Sequence, residues 1–190
     1  MGLKVGVLGS TRGTALQGVL DAIAAGLLDV EIVLVISDRA TAPILQRAVE
    51  HGIRTEHLDA KGLTRDLYDA LVTAKLIEAG AQLVLMIGYM RIVSAAFVEA
   101  WRGRLLNVHP SLLPAFGGLM NKSVHEAVLE AGVAETGCTI HQVTEDVDAG
   151  PIVLQKRCAV LPGDTVDALK DRVQALEQAA FVEVLREWRA

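Results

Sequence analysis

The chain has 190 residues, a length that supports one domain with a full hydrophobic core. Hydrophobic residues make up 52% and aromatic residues only 4%, which favours a buried parallel sheet covered by helices rich in Ala and Leu. The net charge of -5 and the scattered basic residues argue against a nucleic-acid-binding surface. The strand-like N-terminus and the absence of apolar runs of about 18–20 residues favour a cytoplasmic protein, without signal peptide or membrane span.

Strands and helices alternate along the first part of the sequence. Apolar runs predict strands at 5–9, 32–37, 54–58, 83–87 and 105–109, and helical patterns occur at 15–27, 42–51 and 64–79. This βαβα alternation predicts a Rossmann-like, doubly wound α/β fold with a mostly parallel sheet.

The pattern changes after Pro114. A short helix is predicted at 124–130, two strands at 137–144 and 152–160 around a Gly/Asp turn, and a long helix at 164–188, capped by Asp164 or Thr165. The two strands predict an antiparallel portion of the sheet near the C-terminus. We therefore predict a single domain over residues 1–190.

Loops that leave the carboxyl ends of parallel strands carry the sites in such folds, so the loops at 10–14, at 88–91 and from 109 onwards are expected to converge. The first of them, Gly-Ser-Thr-Arg-Gly-Thr at 9–14, is neither a dinucleotide fingerprint nor a P-loop. Free N–H groups at the following helix start favour an anion there, and Gly13 permits close approach. A plain tight turn is the alternative.

Asn107 and His109 alternate at a strand end, so their side chains share a face. Prolines then stop the strand, and Asp148 supplies a carboxylate from a later turn. An amide donor, an imidazole and a carboxylate suit chemistry that passes through an oxyanion and moves a proton. The structural alternatives are a core histidine, a loop-capping Asn and an ordinary turn Asp.

The other histidines and the cysteines give weaker signals. His141 shares a strand face with Thr139 and fits a structural or a functional role, whereas His51, His57 and the charges of the last helix indicate solvated structure. Cys138 and Cys158 have no metal-ligand spacing and are predicted to be buried free thiols.

The octet Asn-Val-His-Pro-Ser-Leu-Leu-Pro at 107–114, with Asp-Ala-Gly-Pro at 148–151, resembles the folate-dependent formyltransferases. Within them it is most similar to the phosphoribosylglycinamide (glycinamide ribonucleotide) formyltransferases, along nearly the whole chain. The resemblance implies transfer of the formyl group of 10-formyltetrahydrofolate, a co-substrate, to the amine of glycinamide ribonucleotide in purine biosynthesis, without a metal. It also implies a phosphate-binding half at 1–109 and a catalytic, folate-binding half at 110–190.

The resemblance assigns roles by position. It implies that Asn107 and protonated His109 hold an oxyanion, while Asp148 raises the basicity of His109. It implies that the acceptor substrate is bound by Gly13, Thr14, Ala15 and Glu177. It implies a folate site formed by Arg65, Met90, Arg91, Ile92, Val93, Asn107, Val143, Thr144, Glu145, Asp146 and Val147.

Two segments depart from the family pattern. Ala15 replaces a carboxamide of the phosphate loop, where Arg12 can supply charge instead, and the loop at 116–122 is longer than is common. These departures bear on the acceptor more than on the formyl donor.

Three alternative functions remain open: a formyltetrahydrofolate deformylase, a sugar-nucleotide or methionyl-tRNA formyltransferase, and a catalytically silent folate-binding module. A deformylase is expected to carry an extra N-terminal domain, and the tRNA enzyme a C-terminal RNA-binding domain and more basic charge. The expected partners are small-molecule substrates, with no nucleic acid or membrane, in a monomer or a homodimer.

Overall fold

The computed structural model describes residues 2–119 and 122–188. Within them the chain forms strands β1 (Leu3–Leu8), β2 (Val30–Ser37), β3 (Thr55–His57), β4 (Leu83–Met86), β5 (Leu105–His109), β6 (Glu135–Gln142) and β7 (Ile152–Ala159). The helices are α1 (Thr14–Ala24), α2 (Pro43–Glu50), α3 (Arg65–Glu78), α4 (Ala95–Ala100), α5 (Lys122–Glu130) and α6 (Val166–Glu187).

The strands form one sheet in the order β3-β2-β1-β4-β5-β6-β7. The first five strands pair in parallel, whereas β6 runs antiparallel to β5 and β7 antiparallel to β6. The predicted doubly wound fold with an antiparallel C-terminal portion is therefore confirmed.

Each face of the sheet carries its own aliphatic core. Helices α1, α2 and α6 cover one face, where residues such as Leu16, Ile44 and Phe181 are fully buried. Helices α3 and α4 cover the other face, where Tyr68 of α3 and Trp101, directly after α4, are buried. Burial on both faces is what the long aliphatic runs of β1, β2 and β4 require.

Side chains at helix starts explain where two helices begin. The Thr64 hydroxyl accepts from the N–H of Leu67 at 3.3 Å, and the Thr165 hydroxyl accepts from the N–H of Ala168 at 3.2 Å. Each satisfies a backbone donor that the first turn leaves unpaired. Of the two caps predicted for the last helix, Thr165 is the one that caps it.

The sequence pattern did not predict α4. It has only six residues, too few for a helical period to stand out. Tertiary contacts hold its start: the Ser94 hydroxyl accepts from the N–H of Phe97 at 3.2 Å, and the buried Asp69 carboxylate accepts from the N–H of Ser94 at 2.5 Å.

The central pair β1 and β4 marks a topological switch point. From β1 the chain proceeds outward through β2 and β3, and β4 then returns to the opposite side of β1 and leads to β5. A crevice opens at the carboxyl ends of strands at such a point, and ligands bind there in open α/β sheets. Within the described part of the chain, no helix is long and apolar enough to cross a membrane.

Candidate active site

A cavity of about 430 Å³ opens at this switch point. Its walls come from the three loops that the sequence predicted to converge, joined by the segment after β6 and by α5 and α6. The lining residues include 11–14, 86–93, 107–110, 143–148, Leu119, His125, His141, Lys170, Gln174 and Glu177. The predicted convergence of the loops is thus confirmed.

The three residues that the sequence singled out for proton and oxyanion chemistry meet in this cavity. Asn107 and His109 project from the same face of β5, and the Asp148 carboxylate reaches them from the turn before β7. Oδ2 of Asp148 lies 3.3 Å from Nδ1 of His109 and accepts from the N–H of Gly118 at 2.9 Å. Asp148 itself has a φ of 56°, a left-handed conformation that Asp tolerates better than most residues.

The His109 ring lies between two acceptors. Nδ1 faces Asp148, and Nε2 is 3.2 Å from the Phe116 carbonyl oxygen. Burial lowers the pKa of His109, while Asp148 and the Phe116 carbonyl raise it and His141 lowers it further. The net direction is downward, so Asp148 acts in the expected sense on the pKa of His109, but the desolvation of the ring outweighs it.

Asp148 shows the opposite balance. Burial raises the pKa of its carboxyl, yet the His141 ring, the Gly118 N–H and the charge of His109 together bring that pKa below its ordinary value. Asp148 is therefore ionised at neutral pH, and the imidazole beside it is neutral at rest.

Gly150 allows the Asp148 turn to lie close to β6. A Cβ atom on this residue would be 1.8 Å from the carbonyl oxygen of Gln142, so only glycine fits. The Asp-Ala-Gly-Pro motif therefore joins a carboxylate to the small residue that lets it approach the site.

The loop after β1 ends in a helix start suited to an anion. Gly13 precedes α1 with a φ of 61°, and in this described segment no side chain caps the first turn and no acidic residue lies in it. The loop is held from α2, where Nε of Arg47 donates to the Arg12 carbonyl at 3.3 Å and the N–H of Ile44 donates to the Thr11 carbonyl at 3.1 Å. Backbone N–H groups at such a start attract negative charge.

The predicted acceptor-binding residues divide between cavity and core. Gly13, Thr14 and Glu177 line the cavity, whereas Ala15 is 1% exposed and packs into the core under α1. The side chain at position 15 is thus turned away from the cavity wall, and the position contributes to the loop through its backbone. Arg12 is exposed and lines the cavity beside it.

Ser10 joins the first loop to the loop after β4. Its N–H donates to the Gly88 carbonyl at 3.1 Å, and its hydroxyl accepts from the N–H of Met90 at 2.9 Å. The same hydroxyl donates to the Asp38 carboxylate at 2.6 Å. One buried residue therefore fixes the distance between two walls of the cavity.

The residues expected to contact folate lie together with one exception. Met90, Arg91, Ile92 and Val93 line the cavity after β4, and residues 143–147 line it between β6 and Asp148. The Arg91 guanidinium stacks 4.3 Å above the Tyr68 ring, and its Nε has no hydrogen-bond partner among the described residues. Arg65, at the exposed start of α3, is not among the lining residues.

One face of α6 supplies polar groups that sequence reasoning mostly missed. Lys170, Gln174 and Glu177 stand four and three residues apart and line the cavity together. Counted from Lys170, the three residues stand at i, i+4 and i+7, which places them on one face of a helix. Glu177 could therefore have pointed to the other two, but the charges of this helix were interpreted as solvated structure and Gln174 was given no role. Burial raises the pKa of Glu177 to about 8, with Lys170 acting in the opposite direction.

His125 and His141 also line the cavity. Burial lowers the pKa of His125 to about 4, helped by Lys170 and His109. Nδ1 of His125 has no hydrogen-bond partner in the described part of the chain. His141 lines the cavity and is buried, whereas His51 and His57 are exposed, as predicted.

The model of a family described as formyl transferase matches residues 3–185, nearly the whole chain.

The chain belongs to the formyl transferase family. It is 38% identical to the phosphoribosylglycinamide formyltransferase of Escherichia coli (strain K12), over 96% of this chain and 85% of that protein. It is 43% identical to the trifunctional purine biosynthetic protein adenosine-3 of Gallus gallus, over 97% of this chain but 18% of that protein. The chain thus spans less than a fifth of the trifunctional relatives it matches.

Solved structures of the family share the fold. The glycinamide ribonucleotide transformylase 1 of Symbiobacterium toebii superposes with a TM-score of 0.92 at 43% identity, covering 97% of this chain and 86% of that one. The phosphoribosylglycinamide formyltransferase of Coxiella burnetii, solved with CHES, gives a TM-score of 0.91 at 40% identity, covering 98% and 86%.

Proposed function

We propose that this formyl transferase moves the formyl group of 10-formyltetrahydrofolate to the amine of glycinamide ribonucleotide, a step of purine biosynthesis. The family match and relatives named for this activity support the reaction class and the acceptor. The observation that carries the proposal is that Asn107, His109 and Asp148 meet in one cavity, between an anion-binding helix start and a wall of Met90 to Val93.

The acceptor end of the cavity fits an amine that carries a phosphate. The N–H groups around Gly13 and Thr14 receive the phosphate, and the exposed Arg12 guanidinium adds positive charge beside them. Glu177, with its pKa of about 8, is largely a neutral carboxylic acid at pH 7 and both donates and accepts hydrogen bonds with the glycinamide portion.

The donor end of the cavity fits a flat, partly apolar molecule. Ile92, Val93 and Val143 give apolar walls, and residues 144–147 supply backbone and carboxylate groups. Arg91 holds a buried Nε without a partner among the described residues, a group that a polar ligand would satisfy. The folate supplies a formyl group bound to a nitrogen that becomes the leaving group.

The catalytic residues transfer one proton and stabilise one developing negative charge. Asn107 donates to the formyl oxygen as negative charge develops on it, in the manner of an oxyanion hole. The new bond joins the acceptor nitrogen to the formyl carbon, and the bond from that carbon to the folate nitrogen breaks. Neutral His109 takes the proton that the acceptor nitrogen loses and returns it to the departing nitrogen.

Asp148 stabilises His109 in its transient cationic form. Its ionised carboxylate lies 3.3 Å from Nδ1, so it favours the imidazolium that forms when the ring takes the proton. With its one proton on Nδ1 toward Asp148, the neutral ring leaves Nε2 free to take a proton, and the Phe116 carbonyl, 3.2 Å from Nε2, accepts a hydrogen bond only once that nitrogen is protonated.

The decisive experiment compares acceptors. Folate release from 10-formyltetrahydrofolate is followed with glycinamide ribonucleotide, with buffer alone and with an amino-sugar nucleotide. Turnover only with glycinamide ribonucleotide is expected. Release in buffer alone means a deformylase, transfer to the sugar means that the 12–15 loop selects another acceptor, and folate binding without turnover means a silent binding module.

A contact with the folate is better supported for residues 144–147 than for Arg65. Residues 144–147 line the cavity, whereas Arg65 can meet only the part of a folate that extends beyond it. The division of the chain into halves at 109 and 110, the cytoplasmic location and a monomeric or dimeric state stay predictions.

A further inference from the structure

We propose that His141 is a positioning residue that fixes the direction of the Asn107 carboxamide. The inference rests on the proposed function, because it assigns the role of orienting the oxyanion donor of that reaction. It comes from the hydrogen bonds around one buried ring.

The sheet register places the two side chains opposite each other. Asn107 on β5 pairs with His141 on β6 in the antiparallel ladder, so their side chains project side by side from one face. Nε2 of His141 lies 3.1 Å from Nδ2 of Asn107. His141 is 2% exposed, so water does not compete freely for this contact.

The other ring nitrogen determines the tautomer. Nδ1 of His141 is 2.9 Å from the carbonyl oxygen of Gln142, which can only accept, so Nδ1 carries a proton. In the neutral ring Nε2 is then an acceptor, and the group it faces on Asn107 has to be the NH₂ group.

The Gln142 carbonyl is itself held in place. The N–H of Gln142 donates to the Pro151 carbonyl at 2.9 Å, and the Cα of Gly150 packs against the Gln142 oxygen, where a Cβ would be only 1.8 Å away. A shift of one residue in the register between β6 and β7 occurs at the same point, between Ile140 and His141. Such bulges often re-aim a side chain beside an active site.

A fixed carboxamide matters for the reaction. With one N–H of Asn107 given to His141, the other N–H is available to the formyl oxygen. A carboxamide turned by 180° would present its own oxygen where the NH₂ group now lies, and would oppose the developing negative charge. An Asn without His141 has no partner on that side to select between the two directions.

Asp148 makes the arrangement sensitive to the state of the ring. Oδ1 of Asp148 is 3.6 Å from Nε2 of His141, farther than the 3.1 Å to Nδ2 of Asn107, and only a proton on Nε2 would pair with this carboxylate and lower its pKa. That proton would then face the NH₂ group of Asn107, donor against donor. The neutral Nδ1–H form is the one that keeps Asn107 in its productive direction.

Three substitutions separate this role from simple packing. His141→Gln can place an amide oxygen near the position of Nε2, whereas His141→Asn is too short to reach Asn107 but can still donate to Gln142. His141→Phe removes both contacts at similar volume. Thr136→Val is the matched control, since Thr136 is a buried polar residue of the same strand that does not line the cavity.

The expected result is a split between kcat and KM. His141→Phe and His141→Asn are expected to lower kcat by about tenfold to a hundredfold, below the 10²–10³ range for removing an oxyanion donor outright. KM for both substrates stays within about twofold, His141→Gln recovers most of the rate, and Thr136→Val leaves kcat unchanged. In an Asn107→Ala background, His141→Phe adds less than about twofold, because its effect passes through Asn107.

A spectroscopic readout keeps the inference separate from the proposed function. In the ¹⁵N-labelled protein, long-range ¹H–¹⁵N spectra should show His141, assigned by its absence in His141→Gln, as the Nδ1–H tautomer. The Asn107 NH₂ resonances should shift in His141→Asn. If the wild-type protein transfers no formyl group, the proposed function fails and these spectra still decide the tautomer. An Nε2–H tautomer, wild-type kcat in folded His141→Phe or His141→Asn, or an undiminished loss of kcat in the Asn107→Ala background would overturn the inference.

Discussion

Replacing Glu177 by Gln should change how the stability of the protein depends on pH. Burial raises the pKa of Glu177 to about 8, against 4.5 for the ordinary carboxyl. The folded chain therefore retains a proton that the unfolded chain releases between these two pH values. Protonated Glu177 leaves the free energy of unfolding undiminished below pH 4.5. As pH rises toward 8, that free energy falls, because the unfolded chain releases the proton more readily than the folded chain.

The structure sets the size of the effect. Glu177 is only 9% exposed, so solvent screens it little. At 1.36 kcal/mol for each unit of pKa difference, the full penalty on the folded state by pH 8 is about 5 kcal/mol. Between pH 5 and pH 8 the free energy of unfolding should fall by about 4 kcal/mol relative to a chain with a non-titrating amide, a large part of the stability of a typical domain.

The assay is urea unfolding of the wild-type protein and Glu177→Gln at pH 5, 6, 7 and 8. Titration of His125 and of other groups occurs in both proteins and cancels in the difference. The stability of Glu177→Gln relative to the wild type should rise steadily with pH. Two parallel stability curves would refute the reasoning, because they would mean that Glu177 titrates alike in the folded and unfolded chains.

Three further perturbations test other parts of the molecule. Burial lowers the pKa of His125 from 6.5 to about 4, so the wild-type protein should lose about 3 kcal/mol of stability as pH falls through this window, and His125→Gln should lose that much less in urea unfolding. Gly150→Ala places a Cβ 1.8 Å from the Gln142 oxygen and should cost on the order of 3 kcal/mol in unfolding free energy, with loss of activity; unchanged unfolding would contradict the close packing. Ser10→Ala removes the hydroxyl that accepts from the N–H of Met90 at 2.9 Å and donates to Asp38, and it should cost about 1–3 kcal/mol while raising KM for both substrates; an effect on one KM alone would show that the loops are not coupled through this hydroxyl.

The fold was largely predictable because its signals are local and repeated. Aliphatic runs separated by helical patterns define the parallel sheet, and the loops at 10–14, 88–91 and 109 onwards converge because parallel strands end at one edge. Helix α4 escaped prediction, since its six residues are held by the distant Asp69 rather than by their own pattern. Part of the loop at 116–122 lies outside the described residues.

The candidate site was only partly predictable. Asn107 and His109 were found through strand alternation, and Asp148 through its turn motif. The partners of these residues could not be found in this way, because the Asn107–His141 contact depends on the register between β5 and β6. The orientation of Ala15 into the core likewise depends on how α1 packs on the sheet.

Burial adds an electrostatic effect that the motif does not show. The resemblance implies that Asp148 raises the basicity of His109, and Asp148 does act in that sense. How deeply a ring is buried is not visible in a motif, and here the desolvation of the ring outweighs the carboxylate. Burial likewise distinguishes Glu177 from the exposed charged residues of α6.

The most direct test of the account is the rate of formyl transfer from 10-formyltetrahydrofolate to glycinamide ribonucleotide, measured across pH for the wild-type protein and for His109→Ala. The wild type is expected to transfer the formyl group only with the acceptor present, at a rate that falls as the buried imidazole becomes protonated at acid pH. The shared site of Asn107, His109 and Asp148 leads to a second expectation. It predicts that His109→Ala loses about 10²–10⁴ of the rate together with that pH dependence. Full turnover by a folded His109→Ala, or an unchanged pH profile, would contradict the central role given to the cavity of Asn107, His109 and Asp148.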